Sequence, residues 1–173
     1  MDLTKPEEID VSELKDFIEK HPGVVKAFGE LNVMKNVLVH NENQQNHVTS
    51  ENVEQWSSMM ALAKSLNFPI GLHCDLDQVS ADLTHMDGSF GRADSLDTER
   101  VYVMEKILET YPENVIVWMH MAGVSKEVIE NRLGQWHCHA VDRLLKKHSN
   151  LYIDLAWDVL AEKIWSVEDL RKQ

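Results

Sequence analysis

Residues 115–121 read Val-Ile-Val-Trp-Met-His-Met, an apolar stretch of strand length that carries an ionisable side chain, His120, near its end. Three other stretches have the same form: 24–31 (VVKAFGEL), 69–74 (PIGLHC) and 151–157 (LYIDLAW). Apolar and β-branched residues in runs of about four to eight predict strands. A helical pattern precedes each. Val11 to Lys20 stops at His21-Pro22-Gly23. Thr49-Ser50 caps a run in which Val53, Trp56, Met59, Met60, Ala63 and Leu66 follow helical spacing. Asp97-Thr98 opens a third, with Val101, Met104, Ile107 and Leu108 on one face and Tyr111-Pro112 as its stop. Ser125 caps a fourth, along which Ile129, Leu133, Trp136, Ala140 and Leu144 align. Strand and helix in alternation predict an α/β fold with right-handed crossovers and a parallel sheet, the active groups lying at the C-terminal strand ends. About four such βα units make half of a (β/α)8 barrel. A whole barrel takes about 250 residues, so a chain of 173 residues reads as one domain, 1–173, with the form of a partial barrel.

Composition narrows the function. Hydrophobic residues make up 43% of the chain, enough for one sizeable core. Seventeen Lys and Arg against 29 Asp and Glu give a net charge of -12, which repels phosphate backbones and anionic membranes and argues against nucleic-acid binding. The longest apolar run, 115–122, contains His120 and falls far short of the roughly 20 residues a bilayer crossing needs. The acidic start, 1–10, has no signal-peptide pattern, and two cysteines, Cys74 and Cys138, suit a reducing compartment. A soluble, cytoplasmic protein is expected.

Ionisable residues gather at the strand ends: Glu30, His73, His120 and Asp154. Burying such a group alone costs several kcal/mol, so each must be hydrogen-bonded, paired or metal-bound. Two histidines and a carboxylate can supply the three protein ligands of an open catalytic metal site. Equally, each side chain could satisfy a backbone group at a barrel rim. Asp75 and Asp77, just after His73, are candidate substrate-loop carboxylates or partners that orient a ligand. The long segment 78–95 holds His85 and Arg92, and Arg92 could hold a substrate carboxylate or pair with Asp94. His40 and His47 lie in a polar loop, 40–50. Cys74 should point away from His73 into packing. Trp118, Trp157 and Trp165 read as core residues, and His21 and His148 as helix C-terminal cations. His137-Cys138-His139 sits on a helical pattern, where residues two apart diverge by about 200°, so the pair is not expected to share a metal.

The stretches FGEL (28–31), IGLHCDLD (70–77), VIVWMHMAG (115–123) and NLYIDLAWDV (150–159) resemble the strand-4 to strand-7 portion of the amidohydrolase superfamily. The match is to its amidohydrolase-related branch of metal-dependent TIM-barrel hydrolases and decarboxylases. The resemblance implies that His73 is a metal ligand, that His120 binds metal or the reacting group, and that Glu30 is the strand-4 carboxylate near the metal. It implies a divalent metal, with zinc expected, and a small organic substrate of the intact enzyme, an amide, ester or lactone to hydrolyse or a carboxylate to release. The family's first-strand His-x-His and last-strand aspartate have no counterpart here, so the resemblance implies a fragment of a longer barrel. The competing expectation is an inactive half-barrel that self-associates, as a homo-oligomer, through exposed sheet edges. A dinucleotide-binding domain is disfavoured, because no strand is followed by a glycine-rich phosphate loop.

Overall fold

The computed structural model describes residues 10–34, 52–79, 93–96, 98–123 and 133–155. Helix α1, Val11–Lys20, begins where Asp10 accepts backbone N–H groups of Ser12 and Glu13 on its carboxylate, at 2.9 and 3.3 Å. Strand β1 spans Phe28–Met34. The predicted strand at 24–31 is therefore displaced by several residues. A strand exists only where it has a neighbour, and the neighbouring strand begins at Ile70, opposite Phe28; Val24 instead continues the turn, donating to the carbonyl of His21.

A 3-10 turn, Val53–Trp56, leads into helix α2, Ser57–Leu66, and buries Val53, Trp56, Met59, Met60 and Ala63 as their spacing predicts. The cap expected at Thr49-Ser50 lies outside the described residues. Strand β2, Ile70–Cys74, is buried along its whole length. Strands β3, Asp77–Val79, and β4, Ala93–Leu96, pair as an antiparallel ribbon at the two ends of the segment read as a long loop. Helix α3 spans Thr98–Thr110, strand β5 Ile116–Trp118, helix α4 Met119–Gly123, helix α5 Leu133–Lys147 and strand β6 Leu151–Ile153. Strands β5 and β6 are shorter than expected, because the chain leaves extended geometry after Trp118 and Ile153. The described part of the fourth helix begins at Leu133; its expected start at Ser125 lies outside the described residues.

The main sheet is parallel, in the order β1-β2-β5-β6. Chain order and spatial order agree without reversal, so right-handed crossovers place the connecting helices on one face. This is the arrangement of consecutive barrel units, an α/β partial barrel. A doubly wound sheet reverses its strand order instead. Leu31, Val33, Ile70, Leu72, Ile116 and Trp118 of the sheet pack with Met60, Met104, Ile107, Leu108 and Leu144 of the helices. At about 25 cal/mol per Å2 of apolar surface, each large buried side chain contributes about 1.5–3 kcal/mol. Trp118 is a core residue as predicted, and its indole N–H donates to the Cys74 carbonyl at 3.0 Å. Trp157 and Trp165 lie outside the described residues. Neither Cys74, which is buried, nor Cys138, which is exposed, forms a disulfide. At the β6 side, Tyr152 and Ile153 are 53% and 37% exposed. No described helix is long and apolar enough to cross a membrane.

Candidate metal centre

Close approach of β1 and β2 creates the site. Gly29 has φ +142°, and a Cβ there would stand 3.0 Å from the carbonyl oxygen of Gly71, so glycine lets the two backbones touch just before Glu30. Gly71 in turn leaves room for Met119; a Cβ on it would meet the Met119 sulfur at 2.9 Å. β1, β2 and the start of α4 thereby bring together the side chains of Glu30, His73 and His120; Glu30, expected at a strand's C-terminal end, lies near the start of β1, which runs on to Met34.

Glu30 faces both imidazoles. Its Oε1 lies 2.6 Å from Nδ1 of His73, and its Oε2 lies 3.2 Å from Nε2 of His120. The two rings are 5.1 Å apart at an interplanar angle of 65°. One ligand atom from each of the three residues lies within 4.8 Å of the other two. The Nδ1 atoms of both histidines are buried. For His73 the short distance to Glu30 is an ion-pair contact that favours the charged imidazole. Buried nitrogens of this kind, beside a carboxylate, fit a cation: two imidazoles and a carboxylate are an ordinary donor set for zinc.

His73 is held from its other side. Its Nε2 meets Oδ1 of Asp75 at 2.8 Å. Burial pushes its pKa down, but hydrogen bonds to Asp75 and Glu30 and the charges of both outweigh burial and raise it from 6.5 to about 9. The pocket favours positive charge. Asp75 also accepts from buried Arg100 of α3, whose Nη1 donates to its backbone carbonyl at 3.1 Å. Sequence reasoning missed Arg100, which carries no local mark beyond being a cation in a helix's first turn. Arg92, the cation it named instead, lies outside the described residues, as do His40, His47 and His85.

His120 stands differently from its prediction. Residues 119–121 belong to α4, where a strand was expected, and His120 itself has φ +57°. A non-glycine residue in that region is strained by about 1–2 kcal/mol. Its backbone N–H donates to Oδ1 of Asp154 at 2.6 Å. Asp154, read as one of the strand-end groups, meets the main chain of His120.

The other motifs take structural places. On α5, His137 is buried, whereas Cys138 and His139 are exposed, so the two imidazoles diverge as helical geometry requires. Glu105, Glu109 and His148 also come within 4.8 Å of one another. There Arg143 grips both oxygens of Glu105 at 2.9 and 3.0 Å, while Lys147 meets Glu105 and Glu109 at 2.8 and 2.7 Å. That cluster is a charge-matched clasp between α3 and α5. Burial, then Lys147, pushes the pKa of His148 down.

No protein-family model matches the chain. No curated protein matches it. Among solved structures it is similar to a dihydroorotase from Campylobacter jejuni, with a TM-score of 0.42 and 17% sequence identity, over 86% of this chain and 33% of that one. The chain spans about a third of that protein's length.

Proposed function

We propose that Glu30, His73 and His120 hold a divalent metal, zinc by the chemistry of the donor set, and that the site performs amidohydrolase-type chemistry on a small organic substrate. The reaction class is hydrolysis of an amide, ester or lactone, or release of carbon dioxide from a carboxylate. One observation carries the reading: two imidazoles and a carboxylate from three different elements, β1, β2 and α4, converge within 4.8 Å. When bound, such an ion supplies Lewis acidity, polarising a carbonyl and activating water.

The chain's own residues divide the work. Asp75 takes the Nε2 side of His73, which leaves Nδ1 directed toward Glu30. Glu30 presents one oxygen to each imidazole. His120, 25% exposed at its side chain against 9% for His73, is the imidazole open to a reacting atom and able to hold or move a proton there. The test is turnover of amide, lactone and carboxylate panels by zinc-loaded protein, beside the His73→Ala and Glu30→Gln variants. Metal-dependent turnover lost in both variants is the expected result; equal rates in all three proteins would overturn the reading.

A second reading, an inactive half-barrel that self-associates, draws support from the exposed Tyr152 and Ile153 on β6. Sedimentation of an Ile153→Lys variant tests it: dissociation of an oligomer is expected, and a monomeric starting protein would overturn it.

A further inference from the structure

Beyond Trp118 the chain turns sharply, and the turn holds two non-glycine residues, His120 and Ala122, at φ +57° and +62°. Such a conformation persists only where surrounding structure holds it. On β6's side the holder is Asp154. Its own N–H donates to the Trp118 carbonyl at 3.2 Å, and its Oδ1 accepts the N–H of His120 at 2.6 Å. One residue thus brackets the turn at both ends. A carboxylate acceptor makes the shorter bond charge-assisted and stronger than an amide pair.

The imidazole of His120 reaches the opposite way. From the end of β5 it meets Glu30 of β1 at 3.2 Å and stacks edgewise on His73 of β2. Asp154 itself does not belong to the group whose ligand atoms converge. We propose that Asp154 is a positioning residue: its carboxylate fixes the left-handed turn at His120 and thereby aims that imidazole at Glu30 and His73. The consequence for metal binding rests on the metal-site reading above; the positioning itself rests on the backbone geometry.

The test compares wild type, Asp154→Asn and Asp154→Ala in two measurements. Asparagine keeps an oxygen acceptor for the His120 N–H, and alanine removes it. In metal-free protein, NMR follows hydrogen exchange of the His120 amide and the ring signals of His120, with His148, just after α5, as a remote reference. Expected in Asp154→Ala are faster exchange at the His120 amide and shifted His120 ring signals, with His148 unchanged and Asp154→Asn close to wild type. Zinc affinity, read by competition with a chromophoric chelator, should fall by about tenfold or more in Asp154→Ala and stay within about threefold of wild type in Asp154→Asn. Unchanged His120 signals in Asp154→Ala, or changes spread equally to His148, would overturn the proposal. If wild type binds no zinc, the metal-site reading falls and the NMR comparison alone decides the positioning. Should Asp154→Ala fail to fold, Asp154→Ser, with its shorter acceptor, replaces it under the same two outcomes.

Discussion

Oε1 of Glu30 and Nδ1 of His73 stand 2.6 Å apart across two neighbouring parallel strands, a carboxylate–imidazole pair. Asp75 and Glu30 together outweigh burial and raise the pKa of His73 to about 9.

Asp75 is expected to govern how well His73 binds metal. Asp75→Ala frees the Nε2 side of the ring and should weaken zinc affinity about 10–100-fold, with the fold retained by circular dichroism. Isothermal titration calorimetry checks the affinity; an unchanged value would mean that the 2.8 Å contact does not orient the ring.

Two glycines should respond unequally to alanine. Gly29→Ala puts a Cβ 3.0 Å from backbone atoms of Gly71 at φ +142°, where neither party can move aside. It should cost about 1–3 kcal/mol. Gly71→Ala meets the sulfur of Met119, the far end of a flexible side chain, and should cost less. Urea denaturation of both variants gives the order directly.

Glu105 should make stability depend on pH. Arg143 first, with Lys147, depresses its pKa from 4.5 to about 2 despite partial burial. The contribution is therefore complete above about pH 4.5 and is lost as pH falls from there toward 2. As a helix-to-helix ion pair near the surface it is worth about 1 kcal/mol or less. In denaturation, wild type should exceed Glu105→Gln in stability at pH 7, and the gap should narrow below about pH 4.5 and close near pH 2. A gap constant across that range would contradict the assignment.

Strand β2 was legible because Ile70 to Cys74 are apolar with one ionisable exception, and the exceptions Glu30, His73 and His120 marked the candidate site for the same reason. The ribbon of β3 and β4 was not. Asp77-Gln78 and Ala93-Asp94-Ser95 carry no β-branched pattern, and their pairing joins segments far apart in the chain. The start of β1 was misplaced because it depends on where Ile70 lies. His120 was identified, but its turn was not, since Met119 to Met121 look as apolar as the strand before them and the conformation depends on Asp154 from another strand.

Metal content of chelator-free protein is the most direct test of the account. Elemental analysis for zinc, manganese and iron should find about one metal per chain in wild type and none in His73→Ala and His120→Ala, both still folded. Wild type that binds no metal at any added concentration, or variants that bind as much as wild type, would contradict a metal centre at Glu30, His73 and His120.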